Sequence, residues 1–299
     1  MYLERYAHAF NLPVSDKNNN WRKAAVKLLT CWIFPKILRK QVKRHLKYYF
    51  NLSPKPETFW EKHIYLKTQQ NFIAAHKNND IFSYRIVSLG CDCFARTIPT
   101  LWGIKPRKKQ GEKGYPFDLS DNPLSSVVKY IENDFKGYFA SLQYNSQLHS
   151  WFLAADEIVY CHEDDCNQDS RQTIIKRFSQ RIDNFRDVLN KDTKPAIFIS
   201  HYNPCLCPNN SEEIQNLYNR LYQKLSELRG DRPFRFFIID TSGKLSNLVF
   251  MDGIRLLSFP WLPQPYIWHQ PECRYKKTGL KFEQIFINEL LSAVRELTA

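Results

Sequence analysis

An open, mostly parallel β-sheet with helices on both faces is the architecture this sequence predicts. Three observations carry that expectation. The β-prone segments are continuous apolar runs rather than alternating ones, as strands covered on both faces should be. Helical periodicity lies between them. The chain has 299 residues, 43% of them hydrophobic, which is enough for one full core and an appendage.

The first 56 residues stand apart as a basic helical arm, leaving 57–299 as the α/β domain. Between Asp16 and Glu57 there is no acidic residue, and the stretch holds 11 Lys/Arg. Removing these from the net charge of +13 leaves +2 for everything else, so a surface built for specific nucleic-acid binding is not indicated. Trp21–Phe50 reads as two short helices broken at Pro35. In the second, Ile37, Leu38, Val42, Leu46 and Tyr49 share one side, while Lys36, Arg39, Lys40, Lys43, Arg44 and Lys47 cover the rest. Such a helix fits an anionic membrane surface, where each cation contributes about 1 kcal/mol. It equally fits an arm packed on the body with a solvated basic face.

Met1–Phe10 carries Glu4, Arg5 and His8 in place of a secretory apolar core. Leu28–Phe34, the longest apolar stretch, is seven residues and far too short to cross a bilayer. The eight cysteines therefore read as free thiols of a reducing cytoplasm, with the protein placed there or peripherally at the inner face of the membrane. Pro54 and Pro56 mark the linker that closes the arm.

The body follows in order. Thr58–His76 reads as a helix leading to a strand at Tyr84–Leu89. Further strands are expected at Glu157–Cys161, Pro195–Ser200, Phe234–Asp240 and Ile254–Phe259. Helices are expected at Cys93–Leu101, Pro123–Asp134, Arg171–Leu189, Glu212–Leu228 and Lys281–Leu297. The strands at Tyr84, Pro195 and Phe234 should be parallel neighbours in one sheet.

Ligands of open α/β sheets bind beyond the carboxyl ends of the strands. That rule selects Gly90, Cys91, Asp92 and Cys93 after the first strand, and His162 with Glu163, Asp164 and Asp165 after the second. It also selects His201, Tyr202 and Asn203 after the third, and Asp240 with Thr241 and Ser242 at the fourth. If the strands are parallel, a thiol, two imidazoles and a carboxylate converge on one edge. A thiol in the first turn of a helix meets unpaired N–H groups that favour the thiolate, and a nearby imidazole makes it a nucleophile. Asp92, a candidate N-cap, is a counterweight because its charge opposes a second anion. Packing of Cys91 and Cys93 as small buried groups is the alternative.

Ser88-Leu89-Gly90 with Cys93 three positions on, Ala95, and Tyr115-Pro116-Phe117-Asp118 resemble a bacterial family of unknown function described as papain-like cysteine peptidases. The resemblance continues through His162, Lys176-Arg177-Phe178 with Arg181 and Phe185, and Ala196–Ser200. It departs at Leu119, where that family usually has Trp. It implies Cys93 as nucleophile and His162 as base. The β/α alternation does not match papain's helical half joined to an antiparallel barrel, so the label describes a Cys–His pair on another scaffold.

Several assignments stay open. His201 with Asn203 is an alternative base. Asp118 either orients an imidazole or holds its turn, and Asp240 competes with it as the third member. Backbone N–H groups after Gly90 are the candidate oxyanion donors. Cys91-x-Cys93 and Cys205-x-Cys207 lack the usual zinc spacing, so no metal and no cofactor is expected.

Phe34-Pro35-Lys36-Ile37-Leu38-Arg39-Lys40 is similar to leaders of cell-surface polysaccharide glycosyltransferases, and Trp261, Trp268 and His269 would suit sugar stacking. The leading expectation is a thiol-dependent hydrolase or acyl transferase acting near the membrane, with a link to surface polysaccharide synthesis and a peptide or glycan substrate. A glycan-modifying transferase without a covalent intermediate and a non-catalytic binding module are the alternatives.

Overall fold

The computed structural model describes residues 58–147, 149–163 and 166–298. The basic arm, with Lys36, Arg39, Lys40, Lys43, Arg44 and Lys47, lies outside the described residues, as do Asp164 and Asp165. In chain order the elements are α1 (Phe59–Ala75), β1 (Arg85–Ser88), α2 (Phe94–Leu101), β2 (Ser120–Asp121), α3 (Leu124–Glu132), β3 (Leu142–Asn145), β4 (Ser150–Leu153) and β5 (Ile158–Tyr160). Then come α4 (Arg171–Asn190), β6 (Ala196–His201), α5 (Ser211–Arg229), β7 (Phe234–Asp240), β8 (Ile254–Ser258), α6 (Pro271–Arg274) and α7 (Lys277–Thr298). The described residues divide into two compact units, 58–68 with 267–280, and 69–266 with 281–298. Within the first, Arg274 Nε donates to Tyr65 Oη at 3.0 Å and Tyr275 packs edge-on against the Tyr65 ring.

The second unit holds the sheet that the apolar runs predict. Its order is β1-β6-β7-β8 and every pairing is parallel, with Val87 opposite Phe198 and Phe198 opposite Phe236. Side chains of successive residues leave a strand on opposite faces, so continuous apolar runs cover both. On one face Val87, Phe198, Phe236 and Ile238 join a core that includes Ile174 and Phe178 of α4 and Tyr218 and Leu221 of α5. Toward α2 and α7, Phe94 packs against Phe282 and Phe286. The buried Trp102, just past α2, donates its indole N–H to Glu283 of α7 at 2.6 Å, which fixes the helix that starts beside Cys93.

One strand goes elsewhere. The Glu157–Cys161 run forms β5, but in a separate antiparallel sheet of order β2-β5-β4-β3. Its three residues are all buried, so its apolar sequence looks the same as that of a parallel core strand. The short strands β2, β3 and β4, and the four-residue α6, carry too little periodicity to be expected from sequence. A bridge between Cys91 and Asn122 joins the end of β1 to the end of β2, and hence one sheet to the other.

Arg229 closes the bottom of the parallel sheet. Fully buried, it donates to the carbonyls of Val188, Asp192, Lys194 and Pro233 at 2.6–3.1 Å. These carbonyls belong to the end of α4 and to the entries of β6 and β7, so one side chain joins all three. Arg229→Met should destabilise the protein by about 3 kcal/mol or more, because four carbonyls lose a charged donor together. A urea unfolding midpoint displaced by less than about 1 kcal/mol would remove Arg229 from this role.

Candidate active site

The geometry begins at the turn after β1. Gly90 has φ +81°, and a side chain there would meet Val127 Cγ2 at 3.2 Å and Asn122 Cβ at 3.3 Å, so only glycine fits. Asp92 then does two things at once. Its Oδ1 accepts the Phe94 N–H at 2.9 Å, and its Oδ2 pairs with His201 Nδ1 at 2.9 Å. Asp92 is therefore the capping side chain, while Cys93 occupies the N-cap position of α2 with its own side chain free of the backbone. The Cys93 thiol lies 3.2 Å from His162 Nε2. The Cys93 backbone N–H makes no hydrogen bond to any described residue.

His162 arrives from the other sheet, two residues beyond β5. Glu163 beside it is buried and paired with Arg177 and, at 2.8 Å, with Arg181, both on α4. Tyr160 at the end of β5 stacks on Phe178 of the same helix with centroids 3.9 Å apart. Helix α4 thus clamps the segment on both sides of His162. The Arg-Phe pattern of that helix, residues 176–185, has here a physical reason. Convergence of Cys93 and His162 does not come from one parallel edge, as expected from sequence, but from two sheets meeting.

His201 stands differently. It is 5% exposed, its Nδ1 faces the Asp92 carboxylate and its Nε2 lies 3.2 Å from the Thr241 hydroxyl. Both ring nitrogens are engaged away from the Cys93 sulfur. Asp240 accepts at Oδ1 from the Ser242 and Gly243 N–H groups and from the Ser242 hydroxyl. At Oδ2 it accepts from the Leu245 N–H and the Ser258 hydroxyl. It builds the loop carrying Thr241 and contacts neither Cys93 nor His162. Asp118, 1% exposed, accepts the Tyr115 N–H at 2.8 Å and closes the Pro-Phe-Asp turn, with Arg96 Nε at 3.8 Å. Burial pushes its carboxyl upward, against the pull of Lys105 and Arg96. Of the oxyanion donors expected after Gly90, the Cys91 N–H is taken by the His201 carbonyl at 3.4 Å, while that of Cys93 meets no described acceptor.

The electrostatics correct the sequence expectation of a resting thiolate. Burial pushes the Cys93 thiol well above its ordinary value, the charges of Asp92, Asp121 and Asp118 add to this, and Arg96 opposes them. Three carboxylates and desolvation outweigh the helix start. Asp121, on β2, was not singled out by the sequence, because nothing in its neighbourhood announces a thiol 28 residues away.

The four cysteines of the two CxC pairs separate. Cys91 and Cys207 have their sulfurs 3.8 Å apart, Cys93 faces His162, and Cys205 is exposed. Among the described residues no group of three or more His, Cys, Asp or Glu side chains could hold a metal ion, and no helix is long and apolar enough to cross a membrane. Trp261 is 42% exposed beside Lys281, and Trp268 and His269 contact each other.

A family model described as putative papain-like cysteine peptidase matches residues 84–242, the span from β1 to the Asp240 loop. No curated protein and no solved structure matches the chain.

The raised thiol sets a pH dependence. Because the neutral form is favoured, the thiolate fraction of Cys93 grows as pH rises, so its alkylation by iodoacetamide should keep accelerating through pH 9 without a plateau. Asp121→Asn removes one of the opposing charges and should speed labelling at pH 7.5 about three- to tenfold. Peptide mapping of the labelled residue measures both; a rate flat above pH 7 would contradict the neutral resting thiol.

Proposed function

Because the chain belongs to this family, we propose that it is a thiol-dependent hydrolase or acyl transferase in which Cys93 is the nucleophile and His162 the base. The observation that carries the reading is the 3.2 Å contact between Cys93 Sγ and His162 Nε2. With the thiol neutral at rest, the proton moves to His162 Nε2 as the sulfur attacks the acyl carbon of the substrate. The carbonyl oxygen gains the negative charge and receives the Cys93 N–H, the donor that no described residue occupies. Collapse of this intermediate expels the leaving group, which takes the proton back from the imidazolium, and a thioester remains on Cys93. Water, or another acceptor in the transferase case, gives its proton to His162 and attacks the thioester, releasing the acyl product and restoring the thiol.

In this reading His201 is a positioning residue. It holds Asp92, Asp92 holds the first N–H of α2, and Cys93 sits between them. Asp118 and Asp121 bear on the site through their charge, which in both cases reaches Cys93. Asp240 acts at one further remove, through Thr241.

Cys93→Ala and His162→Ala should each lower turnover of activated esters, thioesters or peptides about 10³-fold or more, with little change in KM. A substrate-derived thioester mass adduct should form on the wild-type chain and not on Cys93→Ala. Turnover that survives Cys93→Ala would favour the transferase without a covalent intermediate. Ligand binding without turnover or adduct would favour the binding module.

We also propose that the basic run between Lys17 and Lys55 holds the protein on an anionic membrane surface, on the strength of its 11 cations without a single acidic residue. Replacing Lys36, Arg39, Lys40, Lys43, Arg44 and Lys47 by Gln in the full chain should weaken co-sedimentation with phosphatidylglycerol vesicles at least about tenfold at 0.1 M salt. Equal sedimentation of both proteins would make the run an ordinary solvated face.

A further inference from the structure

The mechanism uses one thiol of the two CxC pairs and leaves two others in contact. Cys91 is fully buried, Cys207 is half-buried, and their sulfurs lie 3.8 Å apart, unbonded. A disulfide needs about 2.05 Å between sulfurs, so closure asks for less than 2 Å of combined movement. The two backbones are already held on one frame. Asn122 N–H donates to the Cys91 carbonyl at 2.8 Å, and two residues later Leu124 N–H donates to the Leu206 carbonyl at 3.0 Å, next to Cys207. The loop of Cys207 is itself tied by the Leu206 N–H on the Asn203 carbonyl and the Cys205 N–H on the Asn203 side chain. A pair of thiols that meets by chance between loose loops would have no such alignment.

We propose that Cys91 and Cys207 form an oxidative modification site: a peroxide converts them into a disulfide that staples the Gly90 turn to the 203–208 loop. The Cys207 thiolate attacks one peroxide oxygen, the other leaves as hydroxide and takes a proton to become water, and Cys207 becomes a sulfenic acid. The Cys91 sulfur then displaces the sulfenic oxygen, which departs as a second water with the Cys91 proton. Two thiols lose two electrons and two protons, and the peroxide is reduced to two waters. Burial, with Cys91 alongside, pushes the Cys207 thiol up, so the reaction is slow near neutrality and quickens as pH rises. Cys93 stands outside the pair because its sulfur faces His162.

The site is independent of the hydrolase reading and is tested without it. The full chain is treated with hydrogen peroxide, quenched with catalase, alkylated with N-ethylmaleimide and mapped without reduction. The expected result is one linked peptide pair joining Cys91 to Cys207, two fewer alkylated thiols, and recovery of both with dithiothreitol. The same link should form in Cys93→Ala, which lacks the thiol of the hydrolase reading. In Cys207→Ser, a half-buried position that tolerates the change better than Cys91 would, Cys91 should stay alkylatable on denaturation after peroxide. A bridge from Cys91 to Cys93 or from Cys205 to Cys207 would overturn the proposal. So would sulfinic acid at single cysteines with no linked pair.

Discussion

The pairing of His201 with Asp92 is the contact on which the site depends. Asp92 has to leave the turn after Gly90 with its carboxylate divided between an imidazole and the first free N–H of α2. His201 in turn is held by Thr241, and Thr241 sits in a loop folded around the Asp240 carboxylate. One residue of β6 and one from each of the turns after β1 and β7 therefore form a relay that ends at the Phe94 N–H, next to Cys93. The same carboxylate that fixes the thiol in space raises its proton affinity. Position and acidity are set by one group, and they pull against each other.

Much of this was legible in the sequence. The strands at Arg85–Ser88, Ala196–His201 and Phe234–Asp240 were found because strands covered on both faces leave an unbroken apolar signature. Cys93 and His162 both lie just past strand ends, which the apolar runs mark in the sequence. The direction of β5 was not legible, since three buried apolar residues read the same in either kind of sheet. Cys93 was expected inside the first turn and stands one step before it, a difference created by Asp92 reaching past it to Phe94. The clamp on His162 was invisible for another reason. Glu163 pairs with arginines 14 and 18 positions away, and nothing local says that they fold back.

The family description and the scaffold separate cleanly. The sheet that carries Cys93 is parallel throughout, with helices on both faces, and the imidazole comes from a small antiparallel sheet beside it. A papain-like arrangement is here a relation between two side chains, and such relations recur on unrelated frames.

That Asp92 is held from β6 has a consequence for the order in which the site assembles as the chain is made. Cys93 and His162 are both made before His201, so the thiol takes its place only once β6 has delivered His201 beside β1, 109 residues from Asp92. Thr241 and the β7 loop come later still. Contacts this distant along the chain form late. The nascent protein therefore carries the thiol and the imidazole before it carries the frame that holds Asp92, and that frame is complete only with the third parallel strand, β7, and the loop after it.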